Sequence, residues 1–279
     1  MTDDTLRQDA IGLYDRFTHG ELDRRAFMAR MTALAGSAAA ASALIATIRA
    51  DDALAQTVPE ARVQAETARW TSTGGRKLSG YLARPLTRRT INGAVLVVHE
   101  NRGLNEHIRD VARRLAVAGY PALALDFLSP SGGTPADENG AREAIGKLDL
   151  AQSTRDGIDA LRWLRTKEKV PVAVTGFCWG GAMTLRLAVD ASESIAAAIP
   201  FYGPAPDPAQ ATRVSAPVMF HLAGLDERVN KTALPFAEAL KAAGRTATVH
   251  VYQGVNHAFH NDTSAERYNA QADHVIICE

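Results

Sequence analysis

A cysteine, an aspartate and a histidine that could together carry out acyl transfer stand at Cys178, Asp226 and His257. Cys178 lies in Gly176-Phe177-Cys178-Trp179-Gly180-Gly181, after the apolar run Val172-Ala173-Val174-Thr175 and before a helix-like stretch over 182–189. A strand, a sharp turn and a helix in that order form a nucleophile elbow, which lifts the reactive atom out of the sheet and aims a helix N-terminus at charge formed there. Gly176 and Gly180 suit such a turn because its crowded backbone leaves no room for side chains. The helix dipole also favours thiolate over thiol, and thiolate is the nucleophile. The same hexapeptide is compatible with a buried structural cysteine in an ordinary strand-to-helix connection.

The partners separate these readings. Asp226 closes Ala223-Gly224-Leu225-Asp226 after a strand-like run at 218–222, and His257 closes Gly254-Val255-Asn256-His257 after another at 248–252. Both fall just past the C-terminal ends of predicted strands, where open parallel α/β sheets bind ligands. Nucleophile, acid, histidine is the chain order of the α/β-hydrolase triad. Either residue alone would read as a helix cap or a surface loop residue.

The elements that must hold these residues alternate. Strands are expected at 78–83, 94–99, 122–125, 172–175, 195–199, 218–222 and 248–252. Between them, 107–118 places Ile108, Val111, Ala112 and Leu115 on one helical face, with Arg109, Asp110, Arg113 and Arg114 opposite. Further helices are expected at 152–165 and 233–243, and 129–140 reads as the main long loop. This pattern predicts an α/β fold with a mostly parallel central sheet and helices on both faces.

With these residues in view, the chain resembles the dienelactone hydrolase family, a branch of the α/β-hydrolase fold with a cysteine nucleophile. The resemblance spans roughly residues 78–268. It rests on the Cys178 elbow, on Leu225-Asp226, on Asn256-His257-Ala258-Phe259, and on Val98-His99-Glu100-Asn101-Arg102-Gly103-Leu104-Asn105 after an early strand. It implies a hydrolase acting on carboxylic esters or lactones without a cofactor. In the corresponding chemistry Cys178 attacks the carbonyl, His257 balances the thiolate and later activates water, and Asp226 orients the imidazole. The backbone N–H groups of Trp179 and Asn101 are the candidate oxyanion donors. The resemblance further implies that Glu100 engages the resting cysteine and changes partner when substrate binds; a carboxylate there would raise the thiol pKa. An exposed loop Glu100 paired with Arg102 is the alternative.

Two arginines that clamp a substrate carboxylate in the family's dienelactone-cleaving members have Pro130 and Asn261 at their places here. Neither replaces bidentate arginine recognition, so a less charged ester or lactone is expected, with Arg102 and Arg228 either substitutes or solvated surface residues. Phe127 and Tyr202 are candidate pocket residues, or core packing. His99, His221 and His250 lie within strand patterns without metal-binding spacing, so no metal is expected. Charged residues make up 22% of the chain and balance to a net charge of +0, which gives no footprint for nucleic acid.

With 279 residues, 46% of them hydrophobic, the chain can bury a sizeable core. Its first 55 residues differ in kind: Asp23-Arg24-Arg25-Ala26-Phe27-Met28 precedes an Ala-rich apolar run over 31–48, and Ala53-Leu54-Ala55 offers a cleavage site. This resembles a twin-arginine export signal, read through Arg24 and Arg25. It implies a periplasmic or secreted protein with no stable membrane anchor after cleavage, or a cytoplasmic one if the leader does not function. Residues 56–76 read as an N-terminal linker or extension and 77–279 as the hydrolase domain, with its C-terminal helix expected to be truncated. A disulfide between Cys178 and Cys278 would block the thiol and leave a non-catalytic or thiol-redox protein.

Overall fold

The computed structural model describes residues 3–49, 57–87 and 92–273, which fall into two compact units: Met1–Gln56 with Gly254–Glu279, and Thr57–Gln253. In the first, the N-terminal segment forms helices α1 (Asp3–Thr18), α2 (Arg24–Ala35) and α3 (Ala38–Ile48). The Asp23 carboxylate accepts the Ala26 N–H at 2.8 Å and starts α2. Gly36, at φ 80°, ends it in the left-handed region, and Ser37 caps α3. The apolar run is thereby broken into two helices set at 105°. No single described helix is long and apolar enough to cross a membrane, although α2 and α3 pass together by length and composition.

This unit has its own core, including Ile11, Tyr14, Phe27, Met31 and Ile48. The C-terminal segment is clamped to the helices by polar contacts. Ser264 Oγ donates to the Ile48 carbonyl at 2.8 Å, an acceptor the end of α3 leaves open. Arg267 reaches Asp15 at 3.4 Å and lies over the Tyr14 ring. The Ala53-Leu54-Ala55 site lies outside the described residues, as does Cys278 with the disulfide considered for it.

The larger unit is built on eight strands: β1 (Val63–Thr71), β2 (Lys77–Pro85), β3 (Ala94–Val98), β4 (Ala122–Asp126), β5 (Val172–Phe177), β6 (Ala198–Phe201), β7 (Val218–Ala223) and β8 (Ala247–Tyr252). They are ordered β1-β2-β4-β3-β5-β6-β7-β8. β1 and β2 are antiparallel to their neighbours, and every pairing from β4 to β8 is parallel. β3 and β4 are buried at every position, as continuous apolar runs in a covered parallel sheet must be. Helices α4 (Glu106–Val117), α5 (Glu138–Gly146), α6 (Leu150–Glu168), α7 (Trp179–Asp190) and α8 (Glu227–Ala242) flank the sheet.

Three expectations change. β1 occupies the middle of the stretch read as a linker or extension; its side chains are mostly exposed, so it lacks the apolar alternation that marks a strand. On α4, Asp110 and Arg113 are buried, not solvated. Asp110 accepts the Val58 N–H at 2.6 Å and pairs with Arg113 and Arg114, so the charged face packs as an ion cluster. Finally, 129–140 is not one long loop: Ser129–Ser131 is a single 3-10 turn, and α5 begins at Glu138.

Candidate active site

β5 ends at Phe177 and α7 begins at Trp179, which leaves Cys178 alone in the turn with φ 56° and ψ −113°. That conformation strains a residue with a side chain and must be held by its surroundings. The Cys178 N–H donates to the Phe201 carbonyl at 3.0 Å, and its carbonyl accepts the Ala182 N–H at 3.1 Å. A Cβ on Gly176 would stand 2.3 Å from the Gly180 carbonyl oxygen, and one on Gly180 would stand 2.3 Å from that of Val98. Both glycines are therefore required for β3, β5 and the first turn of α7 to meet. Cys178 is 5% exposed and occupies the N-cap position of α7.

Past the end of β3, Glu100 is also 5% exposed, and the Tyr202 hydroxyl approaches its Oε1 at 3.4 Å. This removes the exposed-loop reading of Glu100. Arg102 is likewise buried, with Nε 3.8 Å from Glu138, and so is not a solvated surface residue. Asn101 is half-buried in the turn that leads to Asn105, the cap of α4. The Asp126 carboxylate pins the 128–134 segment by accepting from the N–H groups of Leu128 and Thr134, both at 2.9 Å, and from the Thr134 hydroxyl. Thr134 Oγ1 in turn accepts the Leu104 N–H, which ties that segment to the turn after β3.

Asp226 follows β7 and is buried. One of its oxygens accepts the Val229 N–H at 3.1 Å, so it caps α8 as well as standing at the acid's position in the order. Cys178, Glu100 and Asp226 thus all sit at the C-terminal edge of the parallel strands, and β8 ends at that same edge before the chain reaches His257. His257 itself belongs to the smaller unit, where it is buried with its ring edge-on to His19 at 4.8 Å.

Phe127 packs in the sheet's core, edge-on to Trp179 at 5.2 Å. Tyr202 is fully buried, at φ 36°, with its N–H on the His221 carbonyl. Pro130 lies in the 3-10 turn, and Asn261 Oδ1 accepts from the Thr263 N–H and hydroxyl within its own turn. Arg228 is half-buried on the first turn of α8.

Two neighbours of candidate residues were not legible as such, one in each unit. His19, beside His257 in the smaller unit, lies in the segment read as a leader, where nothing in the sequence connects the two. His99, read as a strand residue, is fully buried beside Glu100 with its ring stacked on Trp179; its position directly before Glu100 was the only signal.

Residues 78–276 match the model of the dienelactone hydrolase family. "Protein usf" of Aquifex pyrophilus is 33% identical over 210 residues, covering 70% of this chain and 87% of that protein. "Putative carboxymethylenebutenolidase" of Aquifex aeolicus is 30% identical over 207 residues, with the same two coverages. A solved structure from Klebsiella pneumoniae, described as "Putative Dienelactone Hydrolase", superposes with a TM-score of 0.67 at 28% identity, covering 76% of this chain and 94% of its own. Brefeldin A esterase, at 14% identity and TM-score 0.61, shares the fold. Strand order, elbow and relatives agree that this chain has the α/β-hydrolase fold and belongs to the dienelactone hydrolase family of hydrolases.

Proposed function

We propose that the protein hydrolyses a carboxylic ester or lactone with Cys178 as nucleophile, His257 as acid–base and Asp226 as its orienting carboxylate. The observation that carries this reading is the backbone of Cys178. A residue with a side chain held at φ 56° and ψ −113° costs about 1–3 kcal/mol, which a merely structural cysteine has no reason to incur. The thiolate adds to the ester carbonyl, and the Trp179 and Asn101 N–H groups receive the oxyanion. Collapse expels the alkoxide, which takes a proton from the His257 imidazolium and leaves an acyl-cysteine thioester. His257 then deprotonates a water that attacks the thioester, and the acid leaves as the thiol reforms.

Glu100, buried within reach of the Tyr202 hydroxyl, is the resting partner of the thiol in this scheme. With Pro130 and Asn261 at the places of the family's clamping arginines, a weakly charged ester is the favoured substrate class. Arg24 and Arg25 are exposed on the first turn of α2, where an export receptor would read them, and the protein would then act in the periplasm on small molecules. Turnover of short-chain aryl esters and lactones, wild type beside Cys178→Ala and His257→Ala, tests the scheme. Hydrolysis that survives loss of the thiol contradicts it.

A further inference from the structure

We infer that His99 is the positioning residue of the oxyanion hole, setting the direction of one donor by a hydrogen bond and packing against the residue that supplies the other. The inference rests on the hydrolase reading above. His99 follows β3 directly and its side chain is fully buried. The Phe127 N–H donates to its Nε2 at 3.3 Å, so that nitrogen must carry a lone pair. The proton is therefore on Nδ1, which lies 2.7 Å from the Glu100 carbonyl oxygen and donates to it. Burial lowers the pKa of the ring and keeps it in this neutral form.

The Glu100 carbonyl and the Asn101 N–H belong to one peptide unit. In a planar trans peptide the two point in opposite directions. Anchoring the carbonyl on His99 thus turns the Asn101 N–H away from His99, and the peptide cannot flip without breaking that bond. The Gly103 N–H donates to the same carbonyl at 3.2 Å, which gives the oxygen two donors.

The other donor is the N–H of Trp179, whose indole stacks on the His99 ring at 5.5 Å and 14°. Phe127 closes the cluster edge-on to both rings, at 5.5 Å from His99 and 5.2 Å from Trp179. One imidazole therefore ties the turn after β3 to the first residue of α7. Charge on this ring is unnecessary; its fixed tautomer is what matters.

The test compares a reaction that needs the oxyanion hole with one that does not. His99→Phe keeps a ring to stack on Trp179 but has no donor for the Glu100 carbonyl. Its kcat on an aryl ester is expected to fall about 10²–10³-fold, the usual effect of losing one oxyanion donor, with KM within about threefold. Alkylation of Cys178 by iodoacetamide forms no tetrahedral oxyanion, and its rate is expected within about twofold of wild type. His99→Asn keeps an N–H donor near the Nδ1 position. Its kcat is expected within about tenfold of wild type, and it carries the test if the phenylalanine variant does not fold.

A wild-type kcat in His99→Phe overturns the inference. So does a loss of kcat matched by an equal loss of alkylation rate, and so does an asparagine variant a hundredfold down in kcat with alkylation intact. Failure of the hydrolase reading shows separately, as turnover unchanged in Cys178→Ala, and takes the inference with it.

Discussion

Replacing Gly180 by alanine presses on the contact that joins β3 to α7. The new Cβ would lie 2.3 Å from the Val98 carbonyl oxygen and 2.5 Å from that of His99, whereas ordinary contact begins at 3.4 Å. Both clashing atoms are backbone, so no side chain can swing aside, and the two elements must part by about 1 Å, the difference between 3.4 and 2.3 Å. Overpacking of this kind costs about 1–3 kcal/mol, so a cost near 2 kcal/mol lowers the melting temperature by roughly 4–8 °C in a protein of this size. The displaced atoms lead straight into Glu100 and Asn101 on one side and Trp179 on the other. A misplacement of about 1 Å at catalytic groups costs on the order of 10²-fold in rate. We therefore expect Gly180→Ala to fold, melt several degrees lower and lose about two orders of magnitude in kcat/KM on an aryl ester at 25 °C. Gly146→Ala is the control, because its Cβ meets nothing within 4 Å at the end of α5. Gly180→Ala with wild-type melting and activity would refute the close-approach reasoning.

Asp110→Ala removes the acceptor that the Val58 N–H and the buried Arg113 guanidinium now share, while Arg113 keeps its pair with Glu106; a loss of about 1–3 kcal/mol is expected in urea unfolding, and less than about 1 kcal/mol would contradict the buried-cluster reading. His221, buried between Phe201 and His250, has its pKa pushed down to about 3 by burial, with the charge of His250 adding to the effect. Between about 6.5 and about 3 the unfolded chain therefore binds more protons, so the stability this neutral ring confers is complete above about 6.5 and lost as pH falls, by up to about 1.4 kcal/mol per pH unit. Urea midpoints at pH 7 and pH 4.5 check the sign, and a midpoint that rises on acidification contradicts it. Removing residues 1–55 strips Ser264 of the Ile48 carbonyl and Arg267 of Asp15 and Tyr14. Amide hydrogen exchange over 254–273 should then quicken by at least tenfold, and unchanged protection there would show that the segment does not depend on the helices.

Much of the larger unit is legible in the sequence because burial there follows simple periodicity. β3, β4 and β5 are short apolar runs, and the glycines around Cys178 advertise a turn with no space for side chains. What escapes notice is polar structure that satisfies itself internally. β1 shows its side chains to solvent and is a strand only because β2 pairs with its backbone. Asp110 and Arg113 look like a solvated face until each is seen to be the other's partner. The same holds for His99: its role depends on a tautomer set by the Phe127 N–H, which is distant in sequence. The helices at 3–48 have the composition of a leader, yet Asp23 and Ser37 cap them and Ser264 and Arg267 hold them to the C-terminal segment, contacts that no local pattern encodes.

If the strained Cys178 is the nucleophile proposed above, its acyl-enzyme can be trapped. The protein is mixed with an aryl acetate, quenched in acid within the first turnovers and digested for mass spectrometry. One acetyl group is expected on the peptide that carries Cys178, formed with a burst of phenol and lost on further incubation. Steady turnover with Cys178 never acylated, or acylation of another residue at the burst rate, would contradict it.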